Sequence, residues 1–179
     1  MRKSKNILLL IMFLLFGVVS FGQFSLAGNG VTIECPTAAP NATGVVGGKT
    51  YTALTSTTLK DKSKDDVDWD CVCTSLVDNM DGLFEDATTF NQDISSWDTS
   101  NVIRMNTMFK NATAFNQNIG SWTVSKVQYM GSMFRGASNF NQDIGGWNTV
   151  NVTSMAYMFS ETPFNQDIGS WNTSKNRNM

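Results

Sequence analysis

Histidine is absent from this 179-residue chain, and cysteine and proline number only three each. Without an imidazole there is no Ser-His-Asp or Cys-His catalysis, no His-ligated zinc and no proton shuttle tuned to physiological pH. Positive charge is also in short supply: 13 Lys and Arg stand against 15 Asp and Glu. That balance argues against nucleic acid as a partner, which needs a basic patch. Long apolar runs are missing as well, apart from Ile7–Val19. Its thirteen residues fall short of the ~20 that span a bilayer.

That one run has a different use. It follows the basic stretch Met1-Arg2-Lys3-Ser4-Lys5-Asn6, and Ser20-Phe21-Gly22 then puts small residues at −3 and −1 of a cut before Gln23. This is the pattern of a secretory signal peptide over residues 1–22, with a second candidate cut after Ala27. No cysteine sits at either cut, so an N-terminal lipid anchor is not indicated. Removing residues 1–22 takes away Arg2, Lys3 and Lys5, leaving ten basic and fifteen acidic side chains and a net charge near −5. Mild acidity of this size serves solubility.

Export implies an oxidising compartment, where a disulfide is expected. Cys71 and Cys73 are one residue apart and bridge each other poorly, so Cys35 pairs with Cys73 or Cys71 and one thiol is left over. A Cys-x-Cys metal site lacks a second ligand pair. No cofactor or metal is expected.

What is present is repetition. Phe90-Asn91-Gln92-Asp93-Ile94-Ser95-Ser96-Trp97 returns as Phe115-Asn116-Gln117-Asn118-Ile119-Gly120-Ser121-Trp122, as Phe140-Asn141-Gln142-Asp143-Ile144-Gly145-Gly146-Trp147 and as Phe164-Asn165-Gln166-Asp167-Ile168-Gly169-Ser170-Trp171. The units run 77–101, 102–126, 127–151 and 152–175, and a truncated fifth begins at Asn176. A fixed period of 25 residues marks a stacked array, in which each unit buries its apolar side against its neighbours. The expected fold is α/β: a leucine-rich-repeat-like solenoid with an N-terminal cap. Residues 23–76, rich in Gly, Thr, Ala and Asn, supply that cap, with a hairpin turning at Gly47-Gly48. At the other end the fifth unit has no cap, so self-association through it is expected.

Within a unit, Val102, Met105, Phe109 and Ala112 are spaced 3, 4 and 3, with Met108 beside them. The spacing predicts a short helix of about three turns, N-capped by Ser100 or Asn101. A short parallel strand is expected near Asp-Ile, followed by tight turns at Ser95-Ser96, Gly120-Ser121, Gly145-Gly146 and Gly169-Ser170. Phe90, Phe115, Phe140 and Phe164, Ile94, Ile119, Ile144 and Ile168, and Trp97, Trp122, Trp147 and Trp171 form core ladders. The tryptophans read alternatively as an exposed sugar-stacking platform. Asn91, Asn116, Asn141 and Asn165 read as a structural ladder that bonds backbone groups of adjacent coils. Asp93, Asp143 and Asp167 suggest a calcium column, but Asn118 interrupts it and the spacing matches no calcium loop. Nothing places two unique carboxylates in one cleft for acid–base work.

The phrase Met-Phe-x-x-Ala-x-x-Phe-Asn-Gln-Asp-Ile-x-x-Trp, carried by Met108-Phe109 onward and its copies across residues 77–179, resembles the 25-residue bacterial repeat of BspA-like leucine-rich-repeat surface proteins. Gly47-Gly48-Lys49-Thr50-Tyr51 with Cys73-Thr74-Ser75 resembles the leader that precedes such repeats in exported proteins of Gram-negative bacteria. The resemblance implies a secreted or cell-surface protein, adhesion or protein binding, and no catalytic residue. The expectation is therefore a non-catalytic binding surface for an extracellular protein or other surface macromolecule. A glycan-binding or glycan-active solenoid and a structural spacer are the alternatives.

Overall fold

The computed structural model describes residues 23–62, 64 and 68–178; the signal segment expected over 1–22 lies outside them. Strands β1 (Ser25–Leu26) and β2 (Ile33–Glu34) pair antiparallel. β3 (Thr43–Val46) and β4 (Lys49–Thr55) form the hairpin at Gly47-Gly48, with Val46 opposite Lys49. Both glycines adopt positive φ, 59° and 84°, the backbone that a two-residue hairpin turn demands. Helix α1 (Ser56–Lys60) starts where Thr55 and Thr58 exchange side-chain and backbone bonds in a capping box. A 3-10 turn (Trp69–Cys71) leads into β5 (Val72–Leu76), which lies parallel to β4.

β5 faces two cores. Val72 joins Leu54, Leu59 and Trp69 in the main core, which continues through every repeat. Cys73, on the opposite face of the strand, joins Ile33, Cys35, Tyr51 and Ala53 in a smaller one. There Cys35 and Cys73 form a disulfide with Cα atoms 6.3 Å apart, and Cys71 is the free thiol.

Beyond β5 the copies stack in parallel. Isolated bridges link Asn79 to Arg104, Arg104 to Tyr129, Tyr129 to Ser154 and Ser154 to Asn178. This corrects two expectations about a unit's interior. The inter-repeat bridge falls just after the Val position, not at Asp-Ile. The predicted helix is absent too: among the described residues of 77–178 there is no helix, and the segment forms consecutive turns. In the second repeat, Met108 bonds Met105, Lys110 bonds Thr107 and Ala112 bonds Phe109, each N–H to the carbonyl three residues back. Thr107 (φ 52°) and Asn111 (φ 57°) take left-handed backbone at the third place of their turns, as a type II turn requires. Gly82 and Asp86, Ser132 and Gly136, and Tyr157 and Glu161 do the same.

The physical reason is competition for amides. A helix engages each interior N–H within itself. Here the N–H groups of Met105, Thr107, Phe109 and Asn111 donate to Tyr129, Gly131, Met133 and Arg135 of the next copy, at 2.7–2.9 Å. Two successive four-residue turns reproduce the 3-4-3 apolar spacing, so periodicity alone could not separate them from a helix. Ser100 and Asn101 consequently cap nothing; Asn101 Nδ2 donates instead to the Ser75 carbonyl, 2.9 Å away.

Candidate interaction surface

Each repeat has an interior that is constant and two exposed sides that differ. Inside, the phenylalanine, isoleucine and tryptophan ladders are buried in the first three repeats, while Phe164 and Ile168 of the fourth are half-buried. Rings in a column stack nearly parallel, centroids 5.5–6.5 Å apart, as in Phe84–Phe109 and Trp122–Trp147. Each indole N–H is satisfied: Trp122, Trp147 and Trp171 donate to the carbonyls of Ile94, Ile119 and Ile144 at 3.1–3.2 Å, and Trp97 donates to Trp69. The tryptophan row therefore presents no sugar-stacking platform. Trp69, at right angles to Phe84 and Phe90, closes the column at the N-terminal side.

One exposed side repeats because its side chains bond backbone groups of the adjacent copy. Asn91 Oδ1 accepts from the Asn116 N–H, Asn116 Oδ1 from Asn141 and Asn141 Oδ1 from Asn165, at 2.9–3.0 Å. Gln117 and Gln142 add amide bonds to the carbonyls of Asn91 and Asn116. Asp93, Asn118, Asp143 and Asp167 each accept from the N–H two residues on, Ser95, Gly120, Gly145 and Gly169. This is an Asx turn, which asparagine makes as well as aspartate. It explains the interruption at Asn118 and gives the recurrent carboxylates a structural task in place of calcium.

The other exposed side varies. On either side of the segment from constant Met80, Met105, Met130 and Met155 to constant Phe84, Phe109, Phe134 and Phe159, the outward positions change from copy to copy. The bridge position is Asn79, Arg104, Tyr129 and Ser154 in turn; six residues further on stand Glu85, Lys110, Arg135 and Ser160. These side chains interact across copies. Arg104 Nε lies 2.7 Å from Asp81 Oδ2, and its guanidinium is 4.9 Å from the Tyr129 ring centre. Arg135 lies 3.1 Å from Glu161 and 6.0 Å from the Tyr157 ring centre. Lys110 lies 2.7 Å from Glu85, whose other oxygen accepts from Thr107; that bond holds the Lys110 pKa above its ordinary value. Tyr157 is 69% exposed, the most exposed aromatic here. Sequence reasoning missed Arg104, Tyr129, Arg135 and Tyr157. The available signal was variation at fixed places in an otherwise constant phrase.

One acidic cluster lies outside the repeats. Ligand atoms of Asp68, Asp70 and Cys71 lie within 4.8 Å of one another. The Lys49 ammonium already pairs with Asp70. Hydrogen bonds, first to Asp68 and then to Lys49, hold the Asp70 carboxyl below its ordinary pKa. The neighbouring Cys71 thiol is pushed up to about 11, chiefly by burial and then by its bonds to Asp68 and Asp70. A thiol this hard to ionise is a poor metal ligand and a poor nucleophile, and Cys73, locked in the disulfide, supplies no second ligand. No described helix is long and apolar enough to cross a membrane.

Residues 53–163 and 122–179 match the family described as "Mycoplasma protein of unknown function, DUF285". These matches cover well over half of the chain, which belongs to that family. No curated protein and no solved structure matches it significantly.

Proposed function

We propose that this DUF285-family chain is an exported, BspA-like repeat protein, built as a leucine-rich-repeat-type solenoid and acting as a non-catalytic protein-binding or adhesion surface, secreted or held at the bacterial cell surface. The observation that carries the reading is the contrast between the two exposed sides. On one side, amide side chains that bond backbone groups of the adjacent copy repeat in register. On the other, the positions diversify into arginine, tyrosine, lysine and acid, and the side-chain pairs they form across copies change from one copy to the next. Arginine and tyrosine are the residues that most often dominate protein interfaces.

Tyr157 adds support. It adopts φ 58° at a place held elsewhere by Gly82, Thr107 and Ser132. Left-handed backbone costs a bulky residue ~1–2 kcal/mol, and Tyr157 recovers little through burial. Its presence makes sense if the ring contacts something outside the chain. Its exposure also keeps the glycan alternative in view, since a tyrosine ring can stack on sugar.

The test compares the full chain with Arg104→Ala/Tyr129→Ala and with Tyr157→Gly, on immobilised panels of extracellular proteins and of glycans. Both variants should melt within a few degrees of the parent, with Tyr157→Gly equal or up to ~1 kcal/mol more stable. Both should lose at least about tenfold in affinity for a protein ligand. A protein ligand bound equally by all three forms would move the site elsewhere, and binding confined to glycans would favour the alternative.

A further inference from the structure

Charge is sorted by copy. The first repeat carries Asp78, Asp81, Glu85, Asp86, Asp93 and Asp98 and no Lys or Arg; the second carries Arg104, Lys110 and Lys126 and no Asp or Glu. Asp98 is buried against Ser75, Asp93 serves its Asx turn and Lys126 bonds Asn101. The others form two stripes side by side on the variable side: Asp78, Asp81, Glu85 and Asp86 on one copy, Arg104 and Lys110 on the next.

Pairing inside the chain uses only part of each stripe. Asp81 and Glu85 take Arg104 and Lys110, each at 2.7 Å. Asp78 and Asp86 are exposed, and no described base pairs with either. Each spends one oxygen on a neutral donor, Ser56 Oγ at 2.6 Å and Asn111 Nδ2 at 2.8 Å. Lys60 and Lys64, in the segment before the repeats, bond Asn79 Oδ1 and the Glu85 carbonyl instead. On the basic stripe, the Arg104 side chain donates through Nε to Asp81, and the Lys110 ammonium donates to Glu85. The terminal nitrogens of Arg104 and the remaining ammonium hydrogens of Lys110 have no described acceptor.

We propose that the variable side docks a second copy of this chain through these stripes, an inference that rests on the reading of that side as a protein-binding surface. A half-turn about an axis running along the turn ribbon, between the first and second repeats, lays the acidic stripe of each copy on the basic stripe of the other. Asp78 then faces Arg104 of the second copy and Asp86 faces Lys110, each within one place along the ribbon. The axis makes both contacts twice. Open oxygens and open donors are matched in this way while the Asp81–Arg104 and Glu85–Lys110 pairs stay intact. A half-turn about the stack axis would instead set acid on acid and base on base. A partner of one charge sign is repelled by one stripe or the other, whereas the second copy is repelled by neither. Charge pairs of this kind set orientation and encounter rate, and salt weakens them.

Sedimentation equilibrium of the full chain is the test. Dimers should form, with a dissociation constant that rises at least about tenfold between about 0.05 M and about 0.5 M salt. Asp78→Asn/Asp86→Asn keeps the bonds to Ser56 and Asn111 and suits the left-handed backbone at 86; it should weaken the dimer about tenfold or more. Asp78→Lys/Asp86→Lys and Arg104→Glu/Lys110→Glu should each be monomeric alone, and an equimolar mixture of the two should dimerise again. A chain that is monomeric at low salt would overturn the inference, as would dimers indifferent to salt or to the neutral variant, or folded charge-reversed chains that do not pair on mixing. The salt series and the neutral variant decide the matter even if a charge-reversed chain fails to fold. A monomer that loses a protein ligand on Arg104→Ala/Tyr129→Ala would overturn this inference and leave the proposed function standing. Salt-sensitive dimers with no ligand on the panels would uphold it and confine the surface to its own copies.

Discussion

Residues 23–76 hold together through paired strands, a capped helix and a disulfide, whereas residues 77–178 do so without a helix and with only single-residue bridges. In the first region most amide partners lie nearby in sequence, as in the β3–β4 hairpin. In the second, every other amide of the turn ribbon finds its partner 24 residues away, as Met105 does at Tyr129. Order in the repeats is therefore borrowed from neighbours. A substitution inside the stack injures two interfaces, and one at its end injures a single interface. The two regions are nevertheless joined, since the main core runs unbroken from Leu54 to Trp171.

The hardest blow to this contrast is Trp122→Ala. Trp122 stacks on Trp97 at 6.1 Å and on Trp147 at 6.5 Å, and its indole bonds Ile94. Its removal should cost ~3–5 kcal/mol in urea unfolding. Trp171→Ala, with a stacking neighbour on one side only, should cost clearly less. Equal losses would mean that the stack does not share its stability between copies. Replacing Cys35 and Cys73 by serine opens a loop with a sequence separation of 38, at a cost of roughly 3–4 kcal/mol. That loss should fall on the 23–76 region, and tryptophan emission from the repeats should stay native while the β-hairpin amides exchange faster. A smaller effect tests the exposed ladder. Asn116→Ala removes an acceptor for Asn141 and Gln142 and should cost about 1 kcal/mol. Asn165→Ala, whose amide oxygen serves only Gln166 of its own repeat, should cost a few tenths at most. Equal costs for the two would remove the ladder from the account of stability.

How far the sequence disclosed this depends on which residues are asked. Phe115, Ile119 and Trp122 were legible as core because their register is fixed four times over. Asn116 was legible as a ladder because an exposed amide recurring at one corner needs a neighbour to bond. Met105 and Phe109 misled, since four-residue turns and helical turns give nearly the same apolar spacing. The evidence against a helix lay in Gly82 and Asp86, four apart, and in Asn111 and Gly136 at the places that match Asp86, all residues that tolerate left-handed backbone. The bridge at Arg104 and Tyr129 was invisible because nothing in those residues resembles a strand. The choice of Cys73 over Cys71 depended on a 3-10 turn that rotates Cys71 away from Cys35, and no spacing rule reports such a turn. Arg104, Tyr129 and Tyr157 were passed over because repetition was taken as the signal, although in a repeat protein the unrepeated positions are the ones that the common fold does not fix.

The finest test leaves stability untouched and asks whether the two regions open together. With its pKa raised from 9.0 to about 11, Cys71 keeps roughly a hundredth of the thiolate of an ordinary cysteine at pH 8. Alkylation by iodoacetamide should therefore be roughly a hundredfold slower in the folded chain than in urea, and should climb with pH until about 11. Asp68→Asn weakens the hydrogen bond that holds the proton on Cys71 and should speed labelling at pH 8. In the Cys35→Ser/Cys73→Ser chain, Cys71 is the sole thiol and reports directly on the segment before the repeats. If that segment opens by itself, labelling accelerates at urea concentrations where the buried tryptophans still emit blue-shifted light. If both signals change at one concentration, the core from Leu54 to Trp171 melts as one unit, and the division between strand-built and stack-built regions is a division of bonding without a division of stability.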